Sequence, residues 1–147
     1  MEDSKILYEK TVLGEPASKS NNSRIIRRGR HVSLIKSEKA MNYSSDFRLQ
    51  VPILQALLLG DLRVDMNILY ANRRSDLDDS LILDLMQGRV YVNDRQVKQR
   101  NIFWGLDKLN PRTLIRIYRM DHVSNPFKDI EVYDSVVSLT NKSTSSL

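Results

Sequence analysis

The sequence predicts an α+β domain: a small mixed β-sheet with two main helices packed on one face. Two patterns carry that expectation. Leu62, Val64, Met66, Ile68 and Tyr70 alternate with Arg63, Asp65 and Asn67, the period-two signature of a strand with one buried face. Ala40, Tyr43, Phe47, Val51, Leu54 and Leu58 recur at helical spacing. Around them the elements run β, α, β, α, β, β with no internal repeat, which suits a compact α+β arrangement.

The first strand is expected at Ile6 to Leu13, rich in β-formers and closed by the breakers Gly14-Glu15-Pro16. Residues 17–35 follow as a polar, basic loop. A helix is expected from Ser37 to Leu59, kinked or split at Pro52 and stopped by Gly60. After the alternating strand, residues 71–75 connect to a second helix capped by Ser75 or Asp76. Its apolar stripe is Leu77, Leu81 and Leu85, and Gly88 ends it. Arg89 to Val92 reads as a short strand turning at Asn93-Asp94, with Gln96 to Phe103 continuing it. Pro111 precedes a last strand, Arg112 to Arg119. Residues 1–124 form the expected domain; residues 125–147 are a C-terminal extension whose Ser/Thr-rich end is expected to be disordered.

A chain of 147 residues, 41% apolar, can bury one modest core. Lys and Arg outnumber Asp and Glu by 23 to 18, which favours a polyanionic partner such as nucleic acid. The absence of cysteine excludes disulfides, thiolate zinc sites and a cysteine nucleophile. Two histidines, His31 and His122, argue against a histidine-rich zinc site. The opening Met1-Glu2-Asp3-Ser4-Lys5 lacks the apolar stretch of a secretory signal. The longest apolar run, Val51 to Leu59, is interrupted and too short to span a membrane. A soluble, cytoplasmic protein with no membrane partner is expected.

Two acidic motifs stand out. Arg73-Arg74-Ser75-Asp76-Leu77-Asp78-Asp79 crowds three carboxylates into four positions, and Val92-Asn93-Asp94-Arg95-Gln96 adds another after the second helix. Like charges at one site raise one another's pKa, and a hard divalent cation among the oxygens relieves the repulsion. The flanking arginines would attract an anion, so the combination suggests chemistry on a phosphate. Each piece also has a plain structural role. Aspartates at a helix start cap free N–H groups, Asn-Asp is a turn dipeptide, and a basic loop is usually solvated surface.

The order of the pieces changes the balance: Pro16, Ser20-Asn21-Asn22, a basic loop, a helix, an alternating strand, Arg-Arg-x-Asp-Leu-Asp, a helix, and Asn-Asp-x-Gln-Val. Over roughly residues 6–119 this resembles the RusA family of Holliday junction resolvases. The resemblance implies a RusA-like fold and a structure-selective endodeoxyribonuclease that resolves four-way branched DNA by paired nicks in recombination and repair. It implies Mg²⁺, with Mn²⁺ as a substitute, held by Asp76, Asp78 and Asp94, the catalytic positions. Asp79 falls where the family has asparagine, as a peripheral ligand or helix cap. It also implies a homodimer matched to the junction's two-fold symmetry, in the cytoplasm of a bacterial cell and encoded by cell or phage. Arg73 and Arg74 would grip a phosphate beside the metal. Arg24, Arg27, Arg28, Arg30 and Lys36 would contact DNA backbone further out. One departure stands out: the family's helix lysine, one turn beyond the second aspartate, is here Ile82. Lys36, Arg74 or Lys98 would then supply the charge, or activity is reduced.

Two other readings compete. A catalytically weak relative would bind branched DNA without cutting it. Alternatively, Gly88 to Val97 looks like the hairpin of αL-motif RNA-binding modules. Those modules carry a basic helix ahead of the hairpin, whereas here that helix carries Asp76, Asp78, Asp79 and Asp84 and would repel phosphates.

Overall fold

In the computed structural model, residues 5–18 and 23–129 are described. Ser20, Asn21 and Asn22 and the expected tail at 141–147 lie outside the described residues. β1 (Ile6–Leu13), β4 (Leu62–Tyr70), β5 (Val97–Leu106) and β6 (Arg112–Arg119) form one sheet in the order β1-β6-β4-β5. β6 runs antiparallel to both β1 and β4, while β4 and β5 are parallel. The sheet is therefore mixed, as expected. A parallel pair needs a crossover, and the chain from residue 71 to residue 96 supplies it, including helix α2 (Ser80–Met86).

Strand β4 keeps the alternation read from the sequence. Leu62, Val64, Met66, Ile68 and Tyr70 enter the core, which they share with Phe47, Leu81, Ile82, Met86, Ile115 and Ile117. Helix α1 (Glu38–Gln50) contributes Ala40, Tyr43 and Phe47. Ser37 caps it, its hydroxyl accepting the Ala40 N–H at 3.1 Å. The helix stops at Gln50 instead of continuing to Leu59, because the residue before a proline is pushed out of helical geometry and Val51 precedes Pro52. Leu54 and Leu58 still pack on the core from the following loop. That loop pairs with the segment expected to be a strand: Leu54 and Leu58 donate their N–H groups to the carbonyls of Arg89 and Val90. Residues 88–90 thus form a turn, with Val90 and Tyr91 buried and Val92 exposed. Val90 and Tyr91 are both enclosed, which an alternating strand would not allow.

The largest correction concerns the basic loop. Residues 23–36 form a β-hairpin, β2 (Ser23–Arg28) and β3 (His31–Lys36), which makes a two-stranded sheet of its own. Arg28 pairs with His31 across a two-residue turn, Gly29-Arg30. Gly29 has φ +59°, the left-handed geometry that such tight hairpin turns demand and glycine adopts without strain. β-branched Ile25, Ile26, Val32 and Ile35 suit the strands on either side. Among the described residues no helix is long and apolar enough to cross a membrane.

Candidate functional site

The acidic motif sits in the connection from β4 to α2, and that connection is tied down by distant parts of the chain. One Glu15 carboxylate oxygen accepts the Ala71 N–H at 3.2 Å; the other accepts the Ser75 hydroxyl at 3.1 Å and the Lys39 ammonium at 3.3 Å. The Trp104 indole donates to the Ser75 carbonyl at 3.0 Å and stacks on Tyr70, ring centroids 6.2 Å apart. The Tyr70 hydroxyl accepts the Asp78 N–H at 3.1 Å. These ties hold residues 71–79 out of helical geometry, so α2 starts at Ser80 and not at Asp76, and Leu77 is left exposed. Burial raises the Tyr70 phenol pKa, reinforced by the carboxylates of Asp78, Glu15 and Asp79. Glu15→Ala should therefore loosen the connection. With its two bonds to the connection and its pairing with Lys39 lost, a destabilisation of about 1–3 kcal/mol is expected in urea unfolding, with the deficit recovered in part by Glu15→Gln.

A cavity of about 200 Å³ opens at this corner, lined among others by Glu15, Ser18, Lys39, Arg74, Ser75 and Asp76. Asp76, Arg73 and Arg74 are exposed there. One Asp78 carboxylate oxygen accepts both the N–H and the hydroxyl of Ser80, the first residue of α2, at 2.9 and 2.7 Å. The N-cap residue, Asp79, makes no side-chain cap bond. Asp79 is buried, with 4% of its surface exposed, and meets the Arg100 guanidinium at 3.2 Å.

Burial raises the Asp79 carboxyl pKa, against the pull of Arg100 and with Asp78 adding to the rise. The sign follows from linkage. A carboxyl whose folded pKa lies above its unfolded value binds more protons in the fold, so its contribution worsens as pH rises through the folded value. Asp79→Asn should accordingly raise the melting temperature at neutral pH, and the gain should vanish as pH falls through the carboxylate range. A lower melting temperature at neutral pH would mean that the Arg100 pair outweighs burial.

The second motif is occupied by structural bonds. The Asn93 side chain and Gln96 form a capping box around a 3₁₀ turn, Asp94–Gln96. The Gln96 amide oxygen accepts the N–H groups of Val92 and Asn93, both at 2.9 Å, while its nitrogen donates to the carbonyls of Leu58 and Gly60. Gln96 thus stitches the turn to the loop that enters β4. The Asp94 N–H donates to the Gln87 side chain at 2.9 Å, and its carboxylate is exposed. Tyr91, its hydroxyl bonded to the Leu83 carbonyl, is raised in pKa by burial, with Asp94, Asp84 and Asp79 adding to the rise.

Oxygen donors of the right chemistry for Mg²⁺ are present, but they are not gathered. Asp76 borders the Glu15 cavity, Asp78 is turned onto Ser80, and Asp94 sits beyond the far end of α2, beside Gln87. Among the described residues, no three histidine, cysteine, aspartate or glutamate side chains form a group that could hold a metal ion. By type, these oxygen donors suit the hard cation that the resemblance implies; among the described residues they are not grouped as a ligand set. Ile82 is fully enclosed in the core.

Of the expected DNA contacts, Arg27 and Arg30 are exposed on the hairpin and Lys98 is exposed on β5. Arg24, Arg28 and Lys36 take their places along the hairpin strands by backbone register; their side chains lie outside what is described. Glu15, Lys39, Arg100 and Gln96 shape the site although only Gln96 belonged to a recognisable motif. Comparison with protein-family models gives no match, and comparison with curated proteins gives none either.

Proposed function

We propose that this chain acts on branched DNA as a RusA-like protein, an endodeoxyribonuclease of the junction-resolving type. One observation supports the DNA half of that reading above the others. The hairpin at 23–36 holds five basic residues, Arg24, Arg27, Arg28, Arg30 and Lys36, and no acidic one. Subtracting those five from the 23 Lys and Arg leaves 18, equal to the 18 Asp and Glu. The whole net charge of +5 therefore resides on one small β-ribbon, and the remainder of the chain is balanced. A polyanion would be drawn to the ribbon, and DNA phosphates release condensed counterions when cations replace them.

The nuclease half rests on the resemblance and on Asp76, Asp78 and Asp94, with Arg73 and Arg74 beside them. Among the described residues these carboxylates are not grouped as a metal-ligand set. A non-cutting relative that binds branched DNA is the second reading, favoured by the burial of Ile82 where the family carries lysine. A homodimer, with one copy per side of the junction, belongs to either reading. The αL-motif RNA reading loses support because residues 89–96 form a turn bonded to 54–60 and no hairpin.

Incubating the protein with a synthetic four-way junction, with Mg²⁺, with Mn²⁺ and with EDTA, separates the two. Paired nicks that need the metal and disappear in Asp94→Asn support the resolvase. Retained binding without nicks supports the non-cutting relative.

A further inference from the structure

We infer that the β2–β3 ribbon lies in the major groove of a duplex DNA arm, with its Gly29-Arg30 tip toward the base edges. This rests on the reading that the partner is DNA and specifies how the DNA is held. The ribbon has the dimensions for that groove. Two paired strands stand about 4.8 Å apart, and side chains on both faces bring the width to roughly 10 Å. The major groove of B-form DNA is about 12 Å wide and admits a two-stranded ribbon, while the minor groove, about 6 Å wide, does not. Six paired positions, Ser23 with Lys36 through Arg28 with His31, give a length of roughly 20 Å.

The distribution of charge agrees. Arg24 and Lys36 stand toward the base of the ribbon, where groove-edge phosphates would lie. Arg27, Arg28 and Arg30 cluster at the tip, and Arg27 and Arg30 are exposed there. A guanidinium at that depth can donate two hydrogen bonds to the O6 and N7 of guanine, the commonest base contact in this groove. The residue types also weigh against two neighbouring possibilities. Segment 23–36 has no Phe, Tyr or Trp, and its one aromatic ring, His31, is too few for the row of platforms that successive unpaired bases would stack on. Duplex RNA has a deep, narrow major groove that a ribbon cannot enter, so DNA arms are selected over RNA arms.

Dimethyl sulfate tests this with one reagent, because it methylates guanine N7 in the major groove and adenine N3 in the minor groove. A four-way DNA junction is sparsely methylated, mixed with the full-length protein, and separated into bound and free fractions. The expected result is that N7-methylated guanines in the arms are depleted roughly tenfold from the bound fraction, whereas N3-methylated adenines are not. In Arg27→Gln/Arg30→Gln, which should melt like the wild type because both residues are exposed, the guanine depletion should fade. Depletion of N3-methylated adenines alone, or binding with no depletion of either, would overturn the groove assignment while leaving DNA binding intact. A protein that binds no junction at all would overturn both. A junction built of RNA should bind at least roughly tenfold more weakly, and equal binding would also count against the inference.

Discussion

Replacing all five ribbon cations, Arg24, Arg27, Arg28, Arg30 and Lys36, with glutamine should nearly flatten the salt dependence of junction binding. Each phosphate contact contributes roughly 0.9 to the slope of log affinity against log salt, so five together contribute about 4.5. Over a rise from about 50 to 200 mM salt, that slope alone weakens binding several-hundredfold. The five-site variant should lose that decline and bind weakly at every salt concentration. Changing Arg27 and Arg28 alone should lower the slope by about two. The variant should still fold, since β2 and β3 pair with each other in a sheet apart from the four-stranded one. Circular dichroism checks that point. An unchanged slope would move the DNA surface elsewhere and return the ribbon to ordinary solvated surface.

The second large effect falls on stability. Ile82→Lys should unfold much of the protein and yield no gain in cutting. Ile82 has no exposed surface and packs among Leu81, Leu85, Met86 and the sheet residues. An unpaired ammonium there costs several kcal/mol, and the lost packing of the isoleucine adds to it. Against a total stability of about 5–15 kcal/mol, that is a large fraction. The geometry explains why the position cannot serve the acidic motif. Asp78 lies just before α2, and one turn onward the helix buries Ile82 in the core, which does not line the cavity beside Asp76. A folded I82K protein with normal melting and faster cleavage would show that the position faces the site. Ile82→Val, by contrast, should cost only about 0.5–1.5 kcal/mol.

The parts of the fold that were readable in the sequence are those governed by local pattern. The alternation of β4 and the stripe of Ala40, Tyr43 and Phe47 in α1 appear as expected, because burial of one face dictates them. The ribbon was harder to see. Its arginines give residues 17–35 the look of a loop, although Ile25, Ile26, Val32 and Ile35 around Arg-Gly-Arg hold the hairpin signal. The start of α2 depends on tertiary contacts. Asp76 has the chemistry of a cap, but Glu15, Tyr70 and Trp104 hold its segment out of helical geometry, and no local pattern encodes those partners. The candidate metal site shows the same limit. Sequence order presents Asp76, Asp78 and Asp94 as one set, whereas their separation depends on the length of α2 and the buried turn after it. Seven helical residues, roughly 10 Å long, lie between the two motifs along the chain, and sequence order alone does not say how the fold brings their ends together.

The most direct test of the account is a binding titration of the full chain against a four-way DNA junction and a linear duplex of the same sequence, at several salt concentrations. Tighter binding of the junction, a steep loss of affinity with salt, and loss of most of that steepness in the five-site ribbon variant are expected. Equal, weak binding of both DNAs, or a salt slope that survives neutralisation of the ribbon, would contradict it.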